Sequence, residues 1–301
     1  MPRIALVTAI AAHALDEDMP ALLRALHALG IDAQVRAWDD PTVAWARFDL
    51  VLLRSPWDYT TRFSEFSHWC ETVANIATLL NPLEVVRWNV DKRYLAQLEA
   101  LGIPIVPSDF ALPGDDAGTI LDEVLAAHPQ AAEFVIKPVI GAGSRDARRH
   151  RRGTHAAMRE HLVRLLDAGR GLLLQPYLDR VDTEGETALL YFDGQFSHAI
   201  RKGPLLHADA DPTRALFAAE HITARTPGAD ERELADRVIA ALPSLVDTDY
   251  PLAYARVDLI RAANGSPCVL ELELAEPSVF LDHDPGAADR FAQVLAHRLA
   301  T

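Results

Sequence analysis

Residues 4–9 (IALVTA), 31–38 (IDAQVRAW) and 48–54 (FDLVLLR) are largely apolar runs of strand length. Residues 20–29 and 63–80 instead carry apolar side chains at helical spacing, and the first of these stops at Gly30. Strands interleaved with helices predict a parallel, doubly wound sheet for residues 1–88, an α/β module. Asp16, Glu17 and Asp18 fit the start of its first helix. No GxGxxG follows the first strand, which argues against a dinucleotide-binding fold. The third strand runs into Ser55-Pro56-Trp57-Asp58-Tyr59, at the carboxyl end where open α/β sheets bind ligands. The same loop equally reads as Trp57 packing and Asp58 capping a helix.

The pattern then changes. A helix over 90–101 closes at Gly102 and Pro104, residues 112–116 form a turn-rich linker, and 119–128 is helical. FVIKP (134–138) is a strand leading into Gly141-Ala142-Gly143-Ser144-Arg145; a helix (155–168) precedes a kinked strand, LLLQPY (172–177). Two hairpins follow, around Asp193-Gly194 and Asn264-Gly265, before a closing helix over 287–299. Pairing Ala263 with Ser266 across the second turn sets Asp258 opposite Glu271 and Arg256 opposite Glu273, all on one face. The other face would carry Ala255, Val257, Leu259, Leu270, Leu272 and Leu274. Like charges opposite each other destabilise a sheet, so the crowded acids need a reason. Asp258, Glu271 and Glu273 offer hard oxygen ligands suited to Mg²⁺ carrying phosphates; otherwise they are a solvated hairpin face.

Composition narrows the partners. Of 301 residues 50% are apolar, and the net charge of −14 argues against nucleic-acid or anionic-membrane surfaces. It leaves room for a polyanionic small molecule held by a few lysines and a metal. Two cysteines, Cys70 and Cys268, cannot build a disulfide framework, which makes a cytoplasmic location the expectation. The opening MPRIALVTAIAAHA superficially mimics a secretion signal, yet reads better as a first strand followed by a helix.

Further candidates stand apart in the chain. Lys137 interrupts an apolar strand and must snorkel or meet an anion; Lys92 sits at the start of a helix, where a phosphate would suit it. Either is also compatible with a structural or solvated role. Gly141 and Gly143 permit backbone amides to approach phosphate oxygens, although no Walker lysine is present and paired glycines also mark plain turns. A strand breaking at Gln175-Pro176-Tyr177-Leu178 exposes backbone groups able to read an adenine edge, with Glu184 or Glu186 downstream for ribose hydroxyls. Counting through Asp193-Gly194 sets Glu186 opposite Arg201, which is either an ion pair or part of a phosphate site with Lys202.

These pieces, in order, resemble the ATP-grasp superfamily: NVDK (89–92), FVIKP with GAGS (134–144), LLLQPYL (172–178), GETALLYFDG (185–194), HAIRK (198–202), and RVDLI with LELELAEPS (256–278). The resemblance implies an N-terminal pre-ATP-grasp domain (1–88) and an ATP-grasp region (89–301), with a lid over about 107–176 and a C-terminal antiparallel-sheet part from about 177. It implies Lys92 and Lys137 on ATP phosphates under the Gly141–Ser144 loop, and Gln175, Tyr177 and Leu178 at adenine. Glu184 or Glu186 would meet ribose, Lys202 the γ-phosphate with Arg201 beside it, and Arg256 the developing charge. Asp258, Glu271 and Glu273 would hold Mg²⁺, as two ions. The family commonly has Asn at the position of Glu273, and related ligases an Arg where Ala188 stands, so their substrate contacts do not transfer. LDEDMP (15–20), WDDP (38–41) and LVLLRSPWDY (50–59) are most similar to cyclo-ligases that close O-ureido-serine to D-cycloserine. That implies an ATP-dependent ligase acting on a small amino-acid-like substrate, with Asp18, Ser55, Asp58, Tyr59, Glu276 and Ser278 as substrate contacts and a homo-oligomer as an open option. The alternatives are an intermolecular carboxylate–amine ligase and a silent nucleotide-binding relative.

Overall fold

The computed structural model describes residues 1–208, 216, 221–248 and 250–300. The first sheet is parallel, in the order β2 (Asp32–Ala37), β1 (Arg3–Thr8), β3 (Leu50–Ser55), β4 (Thr78–Leu80). Helices α1 (Met19–Ala28) and α2 (Phe63–Ala74) cover opposite faces, so Leu6 and Leu52 pack with Leu22, and Val7 and Leu53 pack with Phe66. Burial on both faces is why these strands read as apolar runs rather than alternating ones. The helix expected over 63–80 ends at Ala74; Thr78-Leu79-Leu80 is the edge strand β4, too short to show a period.

The helix expected over 90–101 is the shorter α4 (Tyr94–Ala100); a separate helix, α3 (Leu83–Asn89), precedes it, and the elbow joining them contains Lys92. Lys92 therefore sits outside any helical first turn. The second sheet orders β5 (Asp109–Ala111), β8 (Leu172–Pro176), β6 (Glu133–Pro138) and β7 (Arg148–Arg151), all antiparallel. Helices α5 (Ala117–Ala127) and α6 (His155–Asp167) seal one face, where Leu121, Met158 and Leu162 meet Phe134, Ile136 and Leu174. Alternation turns Val135, Lys137 and Gln175 to the other face.

Behind this sheet His150 and His161 share a hydrogen bond of 3.0 Å, both nearly inaccessible. Burial holds each imidazole down at about 4, helped by nearby Arg148 and Arg164. Above pH 6.5 both are neutral, folded or not; below it only the unfolded chain takes up protons freely. Stability should therefore fall as pH drops from about 6.5 to 4, by up to about 3 kcal/mol per imidazole that must charge. Melting curves across that range check it: a flat profile, or an unchanged slope in His161→Gln, would contradict this origin.

The third sheet is antiparallel: β11 (Ile222–Ala224), β10 (Gln195–Lys202), β9 (Glu186–Phe192), β12 (Tyr254–Arg261), β13 (Pro267–Glu273). The short α7 (Val181–Glu184) leads into it. Helix α8 (Ala229–Ala241) covers one face, with Leu234 and Val238 against Leu189 and Val257. On the other face α9 (Ala287–Arg298) and α1 cover only one end, where Phe291 stacks on Phe192 and meets Tyr254. Along β12 that face runs Tyr254, Arg256, Asp258, Ile260, from core into cleft.

Both hairpins depart from simple turn counting. Asp258 does face Glu271, and Arg256 faces Glu273, but nearer the turn Leu259 faces Val269 and Ile260 faces Cys268. The turn holds one more residue than expected, closing with Ala262 and Ser266, and a bulge at Leu270 restores the register. The bulge moves Leu270 off the apolar core face and beside Ile260. In the first hairpin a bulge at Ser197 shifts every later pair, so Lys202, not Arg201, lies opposite Glu186.

Candidate functional site

The second and third sheets enclose a cleft of about 370 Å³. Its floor is the uncovered end of the third sheet: Glu186, Lys202, Arg256, Asp258, Glu271 and Glu273. Lys202 reaches Glu186 and lies 2.8 Å from Asp258 Oδ2. Arg256 donates from Nε and Nη2 to both Asp258 oxygens at 2.8 Å, and also to Glu273. From the roof, Lys137 Nζ meets Glu271 Oε1 at 2.5 Å. Gly185 makes the Glu186–Lys202 approach possible: at φ +74°, a Cβ there would stand 2.5 Å from the Lys202 carbonyl oxygen.

These contacts split the acids electrostatically. Burial favours the neutral acid everywhere, but Arg256 and Lys202 hold Asp258 well below the usual carboxylate range. Lys137 and Lys92 likewise outweigh burial at Glu271 and bring it to about 2. At Glu273 burial, with Asp258 and Glu271 nearby, prevails over Arg256 and pushes the group up to about 7. Glu186 rises to about 8, burial prevailing over Lys202. The three expected metal ligands share a face, yet among the described residues no three His, Cys, Asp or Glu side chains converge as a ligand group. Cations stand between them. The donor set still fits magnesium: hard carboxylate oxygens, one of them under-compensated by its surroundings.

The edge of β13 is covered by the α3–α4 elbow, which fixes the position of Lys92. Asn89 bonds Leu272 O (2.8 Å) and Leu274 N (2.6 Å), and the Tyr94 hydroxyl accepts from Leu272 N at 2.8 Å. Lys92 Nζ then donates to Gly141 O at 2.7 Å, in the loop carrying Gly143 and Ser144, both at positive φ. Further along, Val106, Val135, Ile260 and Leu270 form an apolar slot with Gln175, Tyr177 and Leu178. The Arg149 guanidinium lies 3.6 Å from the centre of the Tyr177 ring. Neither Arg149 nor the bulged Leu270 was identified from sequence, because β7 has no apolar period and a bulge leaves no pattern.

Not every expected residue reaches the cleft. Arg201 sits on the opposite face and donates to Glu184 O at 2.8 Å, a consequence of the Ser197 bulge. Glu184 pairs with Arg180 at 2.5 Å and points away. Ser55 is wholly buried, its hydroxyl 3.0 Å from Thr8 Oγ1, and Asp58 accepts from Trp38 Nε1 at 2.9 Å within the first module. Tyr59, Glu276 and Ser278 do line the cleft, together with Trp57, Phe280 and His283. Asp18 borders it, but its oxygens are taken up by backbone amides.

Residues 4–81 match the family model described as D-cycloserine synthetase DcsG, N-terminal domain. The whole chain is 45% identical over 296 residues, 98% of each chain, to the cycloserine biosynthesis protein DcsG of Streptomyces lavendulae. It is also similar to the crystal structure of D-cycloserine synthetase DcsG, with a TM-score of 0.92 and 44% identity over 99% of both chains. The fold alone is shared with the ATP-grasp ligase PsnB, whose structure holds a phosphomimetic precursor variant, Mg and ADP (TM-score 0.62, 18% identity, 100% and 99% covered). No helix among the described residues is long and apolar enough to cross a membrane.

Proposed function

The chain belongs to the D-cycloserine synthetase family of ATP-grasp ligases, and we propose that this ATP-dependent ligase closes O-ureido-D-serine to D-cycloserine. The observation carrying the reading is the cleft floor, where Lys137, Lys202 and Arg256 each neutralise a carboxylate that a triphosphate and magnesium would release. The apolar slot at Gln175–Leu178 takes adenine and Glu186 lies by the ribose. Lys92, Lys137 and the Gly141, Gly143 and Ser144 backbone grip the phosphates. Asp258, Glu271 and Glu273 would hold magnesium, and Lys202 would meet the γ-phosphate. Bound there, magnesium supplies charge neutralisation of the phosphates.

Arg256 orients the substrate carboxylate against the transferred phosphoryl group and stabilises charge as it moves. The carboxylate takes the phosphoryl group, giving acyl phosphate and ADP. The ureido nitrogen attached to oxygen attacks the acyl carbon, phosphate leaves, and water removes the carbamoyl group as CO₂ and ammonia. The first sheet (1–88) forms the substrate end of the cleft, the second (about 107–176) the lid, and the third (about 177–301) the floor. Lid closure keeps water from the acyl phosphate.

Glu276 serves the substrate ammonium group. Its carboxylate lies beside the Tyr59 phenol, and burial raises its pKa. Lys92 and Arg256 act on it through space and draw it back down, without outweighing burial. Glu276→Gln should raise KM for the amino substrate about 10- to 100-fold with KM for ATP nearly unchanged; equal KM values would remove this role. The activity itself is tested by incubating the protein with ATP, Mg²⁺ and O-ureido-D-serine and assaying cycloserine and ADP. ADP formed only when a second amine is added would favour an intermolecular ligase. Nucleotide binding without substrate-dependent phosphate release would favour a silent relative.

A further inference from the structure

The sharpest structural feature outside the cleft floor is the way Asp18 is used. Its Oδ2 accepts from the backbone N–H of Val279 (2.7 Å) and Phe280 (3.2 Å), and its Oδ1 from Leu281 N–H (2.7 Å). Successive amides converging on one anion form a nest, here closed by a carboxylate from the first module rather than by a ligand. Arg54, wholly buried, reaches the same Oδ2 at 3.2 Å and balances its charge. The nest needs an unusual backbone, and Phe280 has φ +50°, a left-handed conformation that a bulky side chain adopts only when held.

The loop so fixed carries two of the groups that place Arg256. Arg256 Nη1 donates to Ser278 O at 3.0 Å, and its guanidinium carbon lies 5.5 Å from the centre of the Phe280 ring. Asp258 and Glu273 hold the guanidinium from the sheet side, so Ser278 and Phe280 define its remaining direction. We propose that Asp18 is a positioning residue: by gathering the 279–281 amides it sets Ser278 O and the Phe280 ring, and through them aims Arg256 into the cleft. Asp18 thus does not touch substrate, and the first module contributes to the chemistry by holding a loop of the third. The inference rests on the reading of Arg256 given above.

The test is a double-mutant cycle. Asp18→Asn keeps size but replaces one acceptor oxygen with a donor, which confronts an amide N–H. The expected result is a kcat about 10- to 100-fold lower, KM for ATP within twofold because the adenine slot is remote, and a folded protein by melting. Combined with Arg256→Lys, the double variant should be no slower than Arg256→Lys alone. Losses that multiply would show Asp18 acting independently and overturn the proposal, as would wild-type kcat in Asp18→Asn. If Asp18→Asn does not fold, Phe280→Leu removes the ring while leaving the nest amides, and should lower kcat about 3- to 10-fold with the same non-additivity. A neutral Phe280→Leu would overturn the proposal too. A near-wild-type Arg256→Lys would fail differently, by removing the site reading itself and the proposal with it.

Discussion

Glu271→Gln is expected to lower turnover on the order of 10³-fold while the protein melts within a few degrees of the wild type. The side chain keeps its size, and its amide oxygen can still accept from Lys137, so the packing between the two sheets has no reason to fail. What disappears is a full negative charge that Lys137 and Lys92 hold ionised, down to a pKa of about 2. That charge is one the floor offers a divalent ion. At Glu273 burial and the neighbouring Asp258 favour the neutral acid despite Arg256, so Glu273 is a poorer substitute for Glu271. The measurement is kcat as a function of Mg²⁺ concentration. Saturation should move to much higher Mg²⁺, with the maximum still far below wild type. Unchanged turnover at low millimolar Mg²⁺ would dismiss Glu271 as a metal ligand.

The acidic hairpin was legible because two irregularities cancel. Counting a tight Asn264-Gly265 turn gives the right partners for Asp258 and Arg256 only because a longer turn and the Leu270 bulge offset each other. The Asp193-Gly194 hairpin has one bulge and no offset, so the same counting selected Arg201 where Lys202 is the partner of Glu186. A strand's alternation names its faces, but a bulge swaps them without altering composition. The lysines were legible as misfits, since Lys137 interrupts an apolar strand and sits, as such a residue must, against a charge. The substrate end was the least legible. Ser55 and Asp58 lie at the carboxyl end of β3 and Asp18 follows that of β1, yet burial turns each carboxylate or hydroxyl toward Thr8, Trp38 or the 279–281 amides. Those contacts span 20 residues for Asp58 and Trp38, 47 for Ser55 and Thr8, and 263 for Asp18 and Leu281, separations that local pattern cannot carry.

The acids are crowded, but the crowding is already answered within the chain, and this gives Lys137→Met its expected result. Lys137 lies 2.5 Å from Glu271, while Arg256 takes Glu273 and, with Lys202, Asp258. A free divalent ion would have to displace these cations from carboxylates that already have partners, so it should bind weakly. A triphosphate changes the balance, because it offers the lysines a more highly charged partner and exposes the acids as it does so. Metal and nucleotide would then enter as one complex. Methionine retains most of the lysine stem's apolar packing but removes the charge. Lys137→Met should therefore bind Mn²⁺ at least tenfold more tightly than wild type without nucleotide, read by the loss of free-Mn²⁺ electron paramagnetic resonance signal. The same variant should lose about 10²- to 10³-fold in kcat/KM for ATP, since the phosphates lose a grip. The two effects have opposite signs and one cause. Equal Mn²⁺ affinity in both proteins, in the absence of nucleotide, would show that Lys137 does not guard Glu271 at all.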